Sequence, residues 1–439
     1  MPPSFFFLVW FGWQITIGSN AQEFSVLIDS GSSNLAVPSL GCTSCGNPSQ
    51  LNFFDPAEST SYRAIKASAP QCNVCTAYPV ATTNKHPSDA HGDIDKPAAQ
   101  DCVLADKCNG NCGFGIVYGG GSSLIGGSYA TDKVCFGGFC AIASFGQIFR
   151  EVPANSFGDG ILGLAFPALA CNPSCTQPLI DALVQNGALA DNIYGICLTA
   201  TNGGYLDFGS VLPFFPPFLF FCNCPSDRGK KRKKLYGIDT CLSYIYIYIS
   251  PLSIRYLDSS RYQGSLQWAP VVKQGLFNIE VVDVKVGDLS LELPSFLYGT
   301  TAGTLGAFVD SGTSIILVNP LTFSAIQTIF QTKYHHMPGV NSTFFSNGPS
   351  VCIPTYQMGS KLSLSPNLDF HVRGMDGKTI ELHVPPQNYI LLFDNQYCFG
   401  IAAVPGIGIV LGDAFMQGYY VAFDRQNAMI GFATIKDCN

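Results

Sequence analysis

The amino-acid sequence predicts an all-β protein built from two related lobes, and three observations predict it. A short motif occurs twice: residues 26–33 read Val-Leu-Ile-Asp-Ser-Gly-Ser-Ser and residues 307–314 read Ala-Phe-Val-Asp-Ser-Gly-Thr-Ser. Short runs of β-branched and aromatic residues fill both halves. The composition, with 45 glycines, 28 prolines and 13% aromatics, suits many strands joined by tight turns.

The doubled motif carries the most weight. Each copy is an apolar, β-prone run ending in Asp-Ser-Gly, and each is followed later by a second apolar run that closes on glycine. These are Asp159-Gly160-Ile161-Leu162-Gly163-Leu164 in the first half and Ile407-Gly408-Ile409-Val410-Leu411-Gly412-Asp413 in the second. Two lobes related by an approximate two-fold axis account for this order. A lone Asp-Ser-Gly is an ordinary turn; its recurrence after an apolar strand is not.

Strands are expected over Gln14–Ile17, Phe24–Ile28, Gly115–Tyr118, Ile193–Leu198, Phe277–Val286, Thr379–Val384 and Tyr419–Asp424. Helical pattern is scarce, with Pro178–Asn186 and Pro320–Tyr334 the best stretches; Pro320 suits a first helical turn. The 439 residues are enough for two domains with a core each, and 47% hydrophobic against 12% charged residues can fill them. A formal net charge of −7 argues against a nucleic-acid partner, because phosphate binding needs a basic face. No apolar run is long enough to span a bilayer, so no transmembrane segment is expected.

Of the 18 cysteines, eleven cluster in the first half, at 42/45, 72/75, 102/108/112, 135/140 and 171/175. Such density points to a disulfide framework and an oxidising compartment. Zinc is the rival, since Cys42-x-x-Cys45 and Cys72-x-x-Cys75 have ligand spacing. Cys352 and Cys398 are the only cysteines between Cys241 and Cys438 and are expected to pair. No cofactor and no metal are expected.

The organisation read from the chain is an atypical apolar segment at 1–13, an N-terminal lobe at 14–195, interlobe strands at 196–211, an anomalous stretch at 212–257 and a C-terminal lobe at 258–439. Residues 1–13 lack the basic leader and small-residue cleavage site of a complete secretory signal. The anomalous stretch holds the one strong basic run, Lys230-Lys231-Arg232-Lys233-Lys234, and the alternation Tyr244-Ile245-Tyr246-Ile247-Tyr248-Ile249. It is read as a localisation or membrane-surface patch, as a surface loop, or as a retained intron or gene-model error. The last is favoured, because excision joins Leu206–Val211 to Asp258–Tyr262 as a turn between strands. Asn341-Ser342-Thr343 is a glycosylation sequon; His86, His91 and His335-His336 are either ligands and pH sensors or solvated loop residues, the second being favoured.

Hydrolysing an amide needs a base for water and an acid for the leaving nitrogen. Two carboxylates in hydrogen-bond reach supply both, because like charges that close share one proton; the aspartic-protease dyad is the general example of this rule. Asp29 and Asp310 are the two candidates. Gly31 and Gly312 allow a tight turn and close approach, Ser32 and Thr313 offer hydroxyls to the outer carboxylate oxygens, and Ser30 and Ser311 can bond across the lobes. Between the copies, Phe114-Gly115-Ile116-Val117-Tyr118-Gly119-Gly120-Gly121 runs into a glycine-rich tip. Without a following Lys-Ser/Thr it makes a poor phosphate loop, and a hairpin that closes over substrate, with Tyr118 touching it, fits better.

On these residues, from Gln14 to Lys436 without the anomalous stretch, the chain resembles the pepsin-like aspartic protease family, with memapsin and cathepsin D-like relatives. The resemblance implies an all-β, bilobal fold, two pseudo-symmetric lobes with a central cleft and a flap hairpin. It implies that Asp29 and Asp310 are catalytic, that Tyr118 is the flap tyrosine and that Gly31, Gly312 and Gly119 lie along the substrate backbone. The activity implied is endoproteolysis by a monomer in an acidic extracellular, lysosomal or vacuolar setting, on an extended polypeptide bound like an added strand. A rival is a catalytically silent relative that only binds peptides. Many relatives have Thr where this chain has Ser30 and Ser311, and Trp where it has Ala36; alanine cannot give the flap tyrosine the hydrogen bond an indole would. Asp424-Arg425 resembles a family turn and is expected to be an ion pair.

Overall fold

The structure is a computed structural model that describes residues 12–42, 44–46, 49–72, 110–119, 123–153, 158–171, 174–199, 203–209, 257–301, 303–334, 344–345, 348–350 and 352–438. The sequon, His86, His91, His335-His336, residues 1–11 and the stretch 210–256 lie outside the described residues.

The repeated motif is a repeated topology. In the first half the strand Gln22–Asp29 runs parallel to Ile161–Gly163, with Asp29 opposite Gly163, and Ile161–Gly163 pairs antiparallel with Leu35–Pro38 on its other side. In the second half Ala307–Val309 runs parallel to Ile409–Leu411, which pairs antiparallel with Ile316–Val318. Each aspartate loop therefore leaves one strand, rounds the end of a glycine-terminated strand and returns along its far edge. A side chain on that glycine would not fit, since a Cβ on Gly163 would stand 2.4 Å from Ser33 N and one on Gly412 would stand 2.1 Å from Thr313 O. Covering on both faces explains why Val26–Asp29, Ala307–Val309 and Ile409–Leu411 are wholly buried rather than alternating.

In the N-terminal lobe these strands belong to an eight-stranded sheet dominated by two 14-residue strands, Ser123–Phe136 and Phe139–Val152. Gly12–Ile17 pairs with Gln22–Asp29 and also with Ser123–Phe136, so the sheet curls and closes on itself. A five-stranded sheet joins the lobes, in the order Gly204–Phe208, Ile193–Leu198, Tyr419–Asp424, Met429–Thr434, Gln267–Pro270. It starts within the first lobe and takes three strands from the C-terminal part. The C-terminal lobe adds a five-stranded sheet around Asp310, a four-stranded sheet (Leu289–Ser290, Val281–Val286, Leu368–Arg373, Thr379–Val384) and a three-stranded one (Cys352–Pro354, Gln396–Phe399, Ile390–Phe393). The fold is the expected all-β, bilobal one.

The two helical stretches form, as Leu179–Gln185 and Pro320–Lys333. Asn319 caps the second, accepting the Thr322 N–H at 2.9 Å, and Thr322, Phe323, Ile326 and Phe330 bury one face at helical spacing. One continuous core runs through both lobes. Each large apolar side chain fully buried there contributes about 1.5–3 kcal/mol of transfer free energy. At its centre Tyr194 stacks on Phe423 at 4.8 Å and donates to the Leu164 carbonyl at 3.2 Å, tying the interlobe sheet to the first aspartate loop.

One expectation is corrected, and one rival reading falls away. Asp424 and Arg425 do not pair: Asp424 accepts from Asn427, while buried Arg425 reaches Asp181 at 2.6 Å and Asn192 at 2.9 Å, bridging the helix Leu179–Gln185 to the C-terminal hairpin. Zinc spacing at the cysteines is replaced by disulfides, since Cys42 joins Cys45 and Cys72 joins Cys112. Cys75 lies outside the described residues. The other bridges are 135–140, 171–175, 197–438 and 352–398, a disulfide framework as read from composition. Leu257, grouped by composition with the anomalous stretch, is fully buried against the outer face of the interlobe sheet. Among the described residues no helix is long and apolar enough to cross a membrane.

Candidate active site

The repeated topology brings Asp29 and Asp310 together from opposite lobes. Gly31 N–H donates to Asp29 Oδ1 at 2.8 Å and Gly312 N–H to Asp310 Oδ1 at 2.9 Å. Ser32 Oγ donates to Asp29 Oδ2, and Thr313 Oγ1 to Asp310 Oδ2 at 2.7 Å. Each carboxylate is thus held by its own loop. Each also faces the other loop: a Cβ on Gly31 would lie 2.6 Å from Asp310 Oδ1, and one on Gly312 would lie 2.4 Å from Asp29 Oδ1. Only glycine at both positions lets the carboxyls approach this closely.

The serines between them clamp the loops. Ser30 N–H donates to Ser311 Oγ at 3.1 Å and Ser311 N–H to Ser30 Oγ at 2.9 Å. The hydroxyls pass the bond on, Ser311 to the Ile28 carbonyl at 2.9 Å and Ser30 to the Val309 carbonyl at 3.4 Å. All of these groups are buried.

Burial first, and the negative charge of Asp310 second, push the Asp29 carboxyl well above the ordinary carboxylate range, against the opposing pull of Ser32 and the Gly31 N–H. The two carboxyls are in hydrogen-bond contact.

Over the pair stands a hairpin of Gly113–Tyr118 and Ser123–Phe136, its last pair being Tyr118 opposite Ser123. Gly119 is exposed at its tip; Gly120, Gly121 and Ser122 lie outside the described residues. The Tyr118 ring is half-buried, and its hydroxyl is buried beside the Ser32 side chain and Asp29. Burial and the charge of Asp29 push its phenol pKa up, so it stays a neutral donor. Tyr118, Ser32 and Asp29 form one chain of contacts. Cys352 and Cys398 face each other across a strand pair and are bonded at 1.99 Å, remote in sequence from both aspartates.

Sequence reasoning gave no role to Asp413. It is 1% exposed, its N–H donates to the Thr313 carbonyl at 2.7 Å, and burial followed by the charge of Asp310 pushes its carboxyl well up. The signal was a break in the repeat, where the first half has Leu164 after its glycine. Among the described residues no three His, Cys, Asp or Glu gather to hold a metal ion.

A sequence model described as eukaryotic aspartyl protease matches residues 11–71, 105–213 and 250–435, leaving most of the anomalous stretch unmatched. Cathepsin E of Aquarana catesbeiana is 26% identical over 437 residues, covering 96% of this chain and 78% of that protein. Pepsin A of Bos taurus is 26% identical over 436 residues, covering 96% and 83%. Pepsin A of Sus scrofa is 25% identical over 426 residues, covering 96% and 80%.

Proposed function

The chain belongs to the eukaryotic aspartyl protease family and is an aspartic endopeptidase, a hydrolase acting on polypeptides, and on that premise we propose that Asp29 and Asp310 activate a water molecule between them. With one proton shared, the ionised carboxyl takes a proton from water as the oxygen attacks the scissile carbonyl, and the protonated one donates to the carbonyl oxygen. The tetrahedral intermediate collapses as the nitrogen receives a proton and leaves. Tyr118 excludes bulk water from above. The observation that carries this reading is the mutual fit of carboxylates and glycines across the two lobes.

Both carboxyls come from one chain, which supports a monomeric enzyme. Six disulfides among the described residues support an oxidising setting, and hence the secretory pathway with an extracellular, lysosomal or vacuolar destination. The buried carboxyls support work in acid. Asp29 and Asp413 have folded-state pKa values raised by burial, so their contribution to stability is whole below the ordinary carboxyl range and is lost as pH rises through the raised values.

The test is peptide cleavage in acid by the wild type, by Asp29→Ala and by Asp310→Ala. The expected result is cleavage that a statine-type inhibitor blocks and that each substitution lowers by about three orders of magnitude or more. Equal turnover by wild type and variants would refute the dyad.

A further inference from the structure

The flap strand carries a second buried ring. Phe114, Ile116 and Tyr118 share one face of Gly113–Tyr118 by strand alternation, which puts Phe114 about 13 Å upstream of Tyr118. The Phe114 ring is 1% exposed and stacks on Tyr129, with centroids 4.8 Å apart and planes at 28°.

Tyr129 lies in a row across three strands, opposite Gly146, which is itself opposite Ala36. Neither Gly146 nor Ala36 extends beyond Cβ, so the row leaves a trough, and the Phe114 ring fills it. A Cβ on Gly146 would come within 2.6 Å of that ring and 3.3 Å of the Ala36 Cβ. The trough accepts Phe114 because both neighbours are small. The polar end of Tyr129 is tied to the first aspartate loop: its hydroxyl accepts from Asn34 Nδ2 at 3.3 Å, and Asn34 is buried five positions beyond Asp29. Its N–H donates to the Cys112 carbonyl at 2.8 Å, next to the flap strand, and Cys112 is bonded to Cys72.

We propose that Phe114 is a positioning residue for catalysis, acting through Tyr118: its ring, seated on Tyr129 in the trough of Gly146 and Ala36, registers the flap strand against the aspartate loop. It thereby sets where Tyr118, at the end of the same strand face, stands beside the first aspartate loop. This rests on the dyad being the catalytic centre.

The experiment measures kcat, KM and Tm on the full chain for Phe114→Leu, for the volume-conserving Phe114→Met, and for Phe145→Leu, which trims a buried ring of the main core. Each is also made in a Tyr118→Phe background. A displaced flap predicts that both Phe114 variants lower kcat about ten- to a hundredfold with KM nearly constant, while Phe145→Leu lowers Tm comparably and leaves kcat within about twofold. In the Tyr118→Phe background the Phe114 substitutions should add nothing to the loss. Unchanged kcat, an effect that multiplies with Tyr118→Phe, or an equal kcat loss in Phe145→Leu overturns the proposal. The methionine variant keeps the core filled if the leucine variant does not fold. A wild type that cleaves no peptide counts against the dyad itself, whereas these comparisons, made on an active wild type, bear on Phe114 alone.

Discussion

Ser311→Ala is the sharpest test of how the halves are joined. The Ser311 hydroxyl accepts the Ser30 N–H at 3.1 Å and donates to the Ile28 carbonyl at 2.9 Å, all of it buried. Removing it leaves two backbone groups without these partners, at about 1–3 kcal/mol each, so the loss is about 2–6 kcal/mol, and about 1–3 kcal/mol if water reaches one of them. Ser30→Ala should cost less, because the outgoing bond of Ser30 to Val309 is long at 3.4 Å. Ser311→Thr keeps the hydroxyl and should recover most of the stability. Chemical denaturation followed by tyrosine fluorescence gives the free energies, and peptide cleavage gives the accompanying fall in kcat. A Ser311→Ala loss within about 0.5 kcal/mol, the size of an ordinary surface substitution, would refute the claim that this clamp holds the loops.

Asp413→Asn removes one carboxyl that must ionise while buried, so Tm should fall less steeply than in the wild type as pH rises from acid towards neutral; coincident Tm–pH slopes would refute this. Arg425→Ala takes the guanidinium from Asp181 Oδ2 and Asn192 Oδ1, leaving the two side chains their own mutual bond, and should cost about 3 kcal/mol in denaturant titrations, against little for Arg373→Ala, whose Glu280 partner is half-exposed. Joining Gly209 to Leu257 by deleting 210–256 should leave Tm and kcat unchanged, because the Asp258 N–H meets Asp207 at 3.4 Å and Arg261 reaches Asp207 at 3.2 Å, so the flanking residues already meet. A variant that loses activity would show that the stretch belongs to the enzyme.

The fold class was legible because the Asp-Ser-Gly motif and its partner glycine strand each occur twice, and a repeated local pattern implies a repeated local structure. Strands with a clean apolar run, such as Ile193–Leu198, or a clean polar–apolar alternation, such as Thr379–Val384, were legible at their ends. The long hairpin Ser123–Phe136/Phe139–Val152 was not, because glycine, serine and charged residues interrupt its alternation where the sheet closes on itself. Loop chemistry at the site could be read from hydroxyl and glycine positions, since those bonds are local. The Cys72–Cys112 bridge, the Arg425–Asp181 contact and the burial of Asp413 depend on which distant segments meet, and spacing carries no record of that.

Each glycine of the aspartate loops rests against the carboxyl of the opposite lobe. The proposed reactive centre is therefore a seam rather than a pocket, and it exists only while the two lobes stay in register. A relative displacement of about an ångström would part the carboxyls without unravelling either lobe, so turnover should vanish on gentle heating before any strand melts. For the same reason neither half of the chain, prepared alone, carries a working centre to lose.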